Sequence, residues 1–220
     1  MFITFEGLDG SGKTTVIEKV TELLHKKFPE LKYILTREPG GKDIVEAERI
    51  REIILDKSSK ISPVTEALLY SASRRIHLEH VIWPSLKEKK LVLCDRFIDS
   101  FYAYQGYARE LGIDFATSLT ELIIDNTIPD LTIFFDINPA DSKKRRLANR
   151  LVHDRMDDET EIFHNKVYDG YLKIIDKDKN NRFIIVDASK SFDEVVEQVI
   201  QKLMENEKFL RYLKDVKLKC

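Results

Sequence analysis

Eight consecutive residues, Gly7-Leu8-Asp9-Gly10-Ser11-Gly12-Lys13-Thr14, have the types and spacing needed to hold a polyphosphate. They read GxxxxGK[ST], the phosphate-binding P-loop. Its glycines let backbone N–H groups converge on phosphate oxygens where a Cβ would be in the way. Lys13 can reach the β- and γ-phosphates of a nucleoside triphosphate, and the Thr14 hydroxyl can ligate Mg²⁺. Such a loop works between a strand and a helix N-terminus, whose partial positive charge strengthens the anion site. The flanks agree. Phe2-Ile3-Thr4-Phe5 is a β-type run, and Thr15-Val16-Ile17 opens a stretch with apolar residues at helical spacing. Gly7 through Thr15 is therefore the expected triphosphate-binding segment.

Other residues suited to phosphate and base chemistry stand behind further apolar runs. In Thr36-Arg37-Glu38-Pro39-Gly40-Gly41 an arginine precedes a forced turn, where its guanidinium can fork onto a phosphate; taken alone, the segment reads equally as an ordinary loop. Leu91-Val92-Leu93-Cys94-Asp95-Arg96 ends in a carboxylate, which beside a P-loop suits Mg²⁺ or its waters. The adjacent Arg96 makes sense if a second phosphate is held in line with the γ-phosphate. Ser100-Phe101-Tyr102-Ala103-Tyr104-Gln105-Gly106 offers rings and an amide to a planar base. Tyr70 and Arg74, spaced i, i+4, share a helix face and can together stack on a base and donate to its carbonyl. Six basic residues lie between 143 and 155, followed by acids. Such a run is commonly a solvated helix face, but in a P-loop enzyme it can close an arginine onto the transferring phosphoryl group. Asp187-Ala188-Ser189 is a turn whose backbone can touch adenine.

The elements that position these residues follow from apolar patterning. Runs at 2–6, 32–36, 91–95, 131–136 and 182–186 are nearly continuous in apolar residues, as strands buried on both faces are. Helical spacing fills 13–28, 43–55, 64–89, 114–126, 141–150, 160–176 and 191–214. The alternation predicts an α/β fold: a doubly wound, five-stranded parallel sheet with helices on both faces. Ligands of such sheets sit outside the carboxyl ends of the strands, where the residues above cluster. One domain over 1–220 is expected, with a short helical lid at about 143–160. The last fifteen residues, charged but with spaced Phe209, Leu210, Leu213 and Val216, read as a surface helix extension.

The 36 basic and 38 acidic side chains nearly cancel, so no global field favours nucleic acid or an anionic membrane. No apolar run approaches the ~20 residues of a membrane span, and no leader pattern precedes Phe2. Cys94 and Cys220 offer neither a disulfide frame nor zinc spacing. A cytoplasmic protein is expected.

In their order and spacing, Phe5 to Thr15, Thr36 to Gly41, Ser73-Arg74-Arg75, Cys94-Asp95-Arg96 and Ala103-Tyr104-Gln105-Gly106 resemble the thymidylate (dTMP) kinase family of P-loop nucleoside monophosphate kinases, from Phe2 to about residue 205. The resemblance implies a cytoplasmic enzyme, commonly a homodimer, that catalyses ATP + dTMP → ADP + dTDP with Mg²⁺. It implies Lys13, Asp95 and Arg96 as catalytic residues, with Thr14 and Asp95 at the metal. Arg37 and Arg96 would hold the dTMP phosphate, with Pro39 and Ser100 at the same site. Tyr70 stands where the family often stacks Phe on thymine, and Arg74 would bond the thymine O4. Tyr104 would crowd the 2′ position, Gln105 would contact the acceptor directly or through water, and Asp9 would meet the 3′-OH. Phe101 stands where bacterial relatives often carry Ser or Thr near the base. Ala188 would touch adenine. Some relatives place an arginine at the P-loop position held here by Gly10. Lacking it, this chain is expected to use Arg155 of Asp154-Arg155-Met156-Asp157, with Arg150 as second candidate.

Two rivals stay open at this point. One is a kinase of another small acceptor, although two acceptor-phosphate arginines argue against a plain nucleoside. The other is a nucleotide-dependent switch protein with slow turnover and no small-molecule acceptor. The NKxD guanine motif is absent, which disfavours a small GTPase.

Overall fold

The computed structural model describes residues 1–149, 155, 156 and 158–218. Five strands, β1 (Phe2–Gly7), β2 (Tyr33–Arg37), β3 (Leu91–Asp95), β4 (Leu131–Asp136) and β5 (Phe183–Asp187), form one sheet. Every pairing is parallel and the order is β2-β3-β1-β4-β5. Around it stand α1 (Lys13–Lys27), α2 (Val45–Leu55), α3 (Pro63–His77), α4 (Trp83–Lys87) and α5 (Ile98–Phe101). They are followed by α6 (Ile113–Ile124), α7 (Pro139–Asn149), α8 (Glu161–Asp176), α9 (Phe192–Glu205) and α10 (Glu207–Asp215). Wider π-helical turns carry α3 through Leu78–Ile82 into α4, and extend α5 through Tyr102–Ala108.

The strands' apolar residues alternate between two layers, as the pleat requires. Ile3, Phe5, Leu91, Leu93, Ile133 and Phe135 pack with Val16 and Val20 of α1 and Val199 and Leu203 of α9. On the other face Phe2, Val92 and Cys94 meet Leu78 and Ile82, and Phe134 meets Val167 and Tyr171 of α8. Helices therefore cover both faces. Some of them start on side-chain caps. Ser62 accepts from the Thr65 N–H ahead of Pro63, and Ser191 with Glu194 forms a capping box on α9.

The C-terminal segment departs from the reading of a surface extension. Asn206 ends α9 and caps α10 by accepting from the Lys208 and Phe209 N–H groups. Phe209 and Leu213 of α10 are fully buried in the α1/α9 layer. Burial of that apolar stripe outweighs the charge of the opposite side of the helix.

The register aligns the carboxyl ends. Phe5 stands opposite Asp95, and Asp95 opposite Arg37. The P-loop, the strand-end carboxylate and the first acceptor-type arginine are thus brought to one rim.

Candidate active site

Gly12 caps α1 in a left-handed conformation (φ 87°), which favours glycine. Gly10 (φ +85°) needs its lack of a side chain for space as well: a Cβ there would lie 2.6 Å from the Ser142 carbonyl of α7. Lys13 is buried, and its Nζ donates to the carbonyls of Leu8 (3.0 Å) and Gly7 (3.2 Å). Burial, helped by the Arg96 charge, pushes its pKa down to about 8.

The Thr14 hydroxyl donates to Asp95 Oδ2 at 2.8 Å. Asp95 Oδ1 is buried with no hydrogen-bond partner among the described residues. A hydroxyl and a half-satisfied carboxylate side by side fit Mg²⁺, which takes one or two protein oxygens and completes its shell with water and phosphate. No group of three or more His, Cys, Asp or Glu that could hold a metal occurs among the described residues.

Beside the P-loop opens a cavity of about 300 Å³. All ten residues expected at the acceptor line it: Asp9, Arg37, Pro39, Tyr70, Arg74, Arg96, Ser100, Phe101, Tyr104 and Gln105, with Lys13, Thr14 and Asp95 at the same wall. Arg96 is held there from several sides. Its backbone is left-handed (φ 69°), an uncommon conformation for a non-glycine residue and one that clusters at functional sites. Nη2 donates to Asp9 Oδ1 (2.7 Å), and Nη1 donates to Ser100 Oγ (2.8 Å) and the Tyr171 hydroxyl (3.1 Å). Behind them sits Glu6, fully buried, accepting from the Phe97 N–H (2.7 Å), the Ser100 hydroxyl (2.5 Å) and the Tyr171 hydroxyl (2.9 Å). Burial and nearby Asp99 push the Glu6 carboxyl up. The Tyr104 hydroxyl donates to Asp9 Oδ2 at 3.0 Å, so Asp9 is turned toward the acceptor side of the loop.

Arg37 donates from Nη1 to the Pro39 carbonyl and from Nη2 to Glu48, both at 2.9 Å. Arg74 is buried between the rings of Phe97 and Phe101, at 5.3 and 5.1 Å to their centroids. Its Nε donates to Glu38 Oε2 (2.7 Å), and Nη2 donates to the Phe97 carbonyl (3.2 Å). His77 donates from Nδ1 to Glu38 Oε1 (3.1 Å) and meets the Thr36 hydroxyl with Nε2 (2.7 Å), which fixes Glu38 in turn. Arg74 Nη1 is buried and unpartnered among the described residues, a donor awaiting an acceptor. Phe101 thus lines the cavity while it backs the arginine.

Two expectations, at Ala188 and Arg155, meet a different arrangement. Both backbone groups of Ala188 are engaged within the protein: its N–H donates to Asp136 O (2.9 Å), and Arg145 Nη1 donates to its carbonyl (2.6 Å). Arg155 does not line the cavity. It pairs with the buried carboxylate of Glu66 and donates from Nε to the Ile54 carbonyl (2.9 Å). A buried carboxylate needs cationic partners, and Glu66 draws Arg155 to it. Arg150 lies outside the described residues. The basic residue that reaches the P-loop is Arg146 of α7. It is buried, and its Cβ and backbone N lie 3.2 Å from where a Gly10 Cβ would stand. Its Nη1 donates to His164 Nε2 at 2.9 Å, and burial plus the Arg146 charge lower the His164 pKa to about 4, so the ring is neutral.

Sequence reasoning missed Arg51, Glu66, Glu6, Tyr171 and Arg146 as individual site residues. Arg51 lines the cavity and donates to the Pro39 carbonyl at 3.0 Å. Only Glu6 gave a local signal, a lone carboxylate inside the apolar run of β1.

Known proteins are similar to this chain in sequence and in fold. The sequence profile of the thymidylate kinase family matches residues 5–199. The thymidylate kinase of Mycoplasmopsis agalactiae is 57% identical over 215 residues, covering 98% of this chain and 100% of that protein. That of Staphylococcus epidermidis is 47% identical over 213 residues, covering 97% and 98%. The crystal structure of thymidylate kinase from Ehrlichia chaffeensis superposes with a TM-score of 0.74 at 34% identity, over 93% of this chain and 98% of that one. Identity this high over almost the full length, with the same fold, means that the chain belongs to the thymidylate kinase family of nucleoside monophosphate kinases.

Proposed function

We propose that the chain transfers the γ-phosphoryl group of ATP to dTMP, giving ADP and dTDP. The observation that carries this reading is one cavity, contiguous with the P-loop, that holds two arginines suited to a phosphate and a third, Arg74, with an unsatisfied donor suited to a base carbonyl. Gly7 to Thr15 take the ATP phosphates, with Lys13 on the β- and γ-groups. Arg37 and Arg96 hold the dTMP phosphate, and one of its oxygens attacks the γ-phosphorus in line. No protein nucleophile is required, because positioning and charge neutralisation supply the catalysis. Asp9 takes the 3′-OH, Tyr104 crowds the 2′ position and Tyr70 stacks on thymine. Mg²⁺ would be held by the Thr14 hydroxyl and Asp95 and supplies neutralisation of the triphosphate charge. The whole chain acts as one catalytic unit in which residues 143–160 close as a lid that excludes water, and Arg146 supplies the cation missing from Gly10.

A coupled ADP-release assay across nucleoside monophosphates tests this. Turnover with dTMP is expected to exceed that with every ribonucleotide and with dCMP. Slow ATP hydrolysis that no monophosphate stimulates would favour a nucleotide switch instead.

Lys13 gives a pH prediction. Its pKa in the folded protein, about 8, is lowered from 10.5. ATP affinity, which needs the ammonium, is expected to hold below that value and to fall as pH rises through it. The ATP-free protein gains stability over the same window, because the unfolded chain still binds the proton there and the folded one does not. ATP titrations and thermal melts at about pH 7 and about pH 9.5 read both effects; an ATP affinity independent of pH would remove Lys13 from the phosphates.

The enzyme works in the cytoplasm as a homodimer. Val64 and Leu68 on α3 and Phe115 and Leu122 on α6 are exposed apolar residues at helical spacing, with Leu122 77% exposed. A two-fold interface would cover them. Leu122→Glu is expected to shift the protein from dimer to monomer in sedimentation velocity; an unchanged dimer would place the interface elsewhere.

A further inference from the structure

Glu66 has no part in the chemistry above, yet it is 1% exposed and stands on α3 one turn before Tyr70. Gln105 Nε2 donates to its Oε1 at 2.9 Å. Arg109 donates from Nε to the same oxygen (3.1 Å) and from Nη2 to Oε2 (3.2 Å), where Arg155 also donates. Burial would raise this carboxyl, but the Arg109 and Arg155 charges outweigh it and hold it below its usual value. Glu66 is therefore ionised, and an ionised carboxylate only accepts hydrogen bonds. A primary amide has one donor end and one acceptor end. Gln105 must turn its NH₂ toward Glu66 and its carbonyl away. That Oε1 takes no hydrogen bond among the described residues, and Gln105 lines the cavity.

The geometry points to Glu66 as a positioning residue that sets base specificity: by fixing the polarity of the Gln105 amide, it makes that wall of the cavity an acceptor for the N3–H of a 4-oxopyrimidine. The inference rests on the reading of this cavity as the pyrimidine monophosphate site. Arg74 Nη1 supplies the complementary half, a donor for the 4-carbonyl. Cytosine reverses both groups. Its N3 is an acceptor facing the Gln105 carbonyl, and its 4-amino group is a donor facing Arg74. A site built from fixed hydrogen-bonding groups rejects such a reversal strongly, because each group is left unpaired.

The test compares kcat/KM for dTMP and dCMP. Glu66→Gln is nearly isosteric but can present an NH₂ to Gln105, which lets that amide turn over. The dTMP-to-dCMP ratio is expected to fall about tenfold or more, with KM for ATP unchanged. Glu66→Asp keeps an acceptor and is expected to keep the wild-type ratio, even at lower total activity. In a Gln105→Leu background, Glu66→Gln is expected to change the ratio no further. A Glu66→Gln protein that uses both monophosphates less well, in the wild-type proportion, overturns the proposal and reduces Glu66 to a support for Arg109 and Arg155. If Glu66→Gln does not fold, N3-methyl-dTMP with the wild-type enzyme decides. It should be used about tenfold less well than dTMP or worse, with the gap narrowed in Gln105→Leu. Equal use of the two by the wild type overturns the proposal. A wild-type protein that phosphorylates no pyrimidine monophosphate overturns the functional reading itself, and this inference with it.

Discussion

Arg96→Ala is expected to lower kcat/KM for dTMP by about 10³-fold or more, the scale on which arginines act in phosphoryl transfer, while ATP binding stays within a few-fold. Three features argue for so large an effect. The guanidinium is held in place before any ligand arrives, by Asp9, Ser100 and Tyr171, so its orientation costs little at the moment of reaction. Glu6 fixes both hydroxyl partners from behind, which makes Arg96 the outer end of a buried network. Truncation also removes the Arg96 cation from beside Asp9, and a carboxylate whose charge is less compensated repels a nearby phosphate. Arg96→Lys should recover little, because a point charge cannot reproduce the planar fork. Steady-state kinetics in both substrates, with a melting curve to exclude unfolding, measure this. A loss confined to KM for ATP would assign Arg96 to the donor.

Arg146→Ala is expected to lower kcat by at least about a hundredfold with little change in either KM, the pattern of an interaction made mainly in the transition state. Gly10 carries no charge, yet the transferring group needs a cation. Arg146 lies against Gly10 on α7, with His164 as a neutral rest for its guanidinium. Arg155→Ala should cost much less, since Arg155 is committed to Glu66 and the Ile54 carbonyl. The reverse result, near-wild-type kcat in Arg146→Ala and a hundredfold loss in Arg155→Ala, would return the role to Arg155.

The strands were legible because burial on both faces demands continuous apolar runs. The runs read at 91–95 and 131–136 coincide with β3 (Leu91–Asp95) and β4 (Leu131–Asp136). The P-loop, Arg37, Asp95 and Arg96 were legible because each ends or directly follows a strand, where the topology must deliver it to the rim. Arg51 and Glu66 were not. Each reads as an ordinary charge on an amphipathic helix, and only tertiary packing turns one into the cavity and encloses the other. Tyr171 was hidden for a related reason: its hydroxyl bonds Glu6, a partner at the opposite end of the chain in sequence. The break at Asn206 carried a local clue, since asparagine caps helices well, but unbroken helical spacing through 191–214 masked it.

The topology bears on how a ribosome can deliver this protein. β1 is the middle strand of the sheet, yet Phe2 pairs with Val92 and Ile3 with Leu131. The first strand to emerge therefore waits for more than half of the chain before both of its edges are paired. Its layer is not closed until Phe209 and Leu213 of α10 have followed. Until β3 and then β4 have followed, an apolar strand with open edges is exposed, which invites association with other nascent chains and slows folding. Such a chain is expected to depend on holding chaperones during synthesis, and to tolerate loss of its last helix poorly, although that helix lines no part of the cavity beside the P-loop.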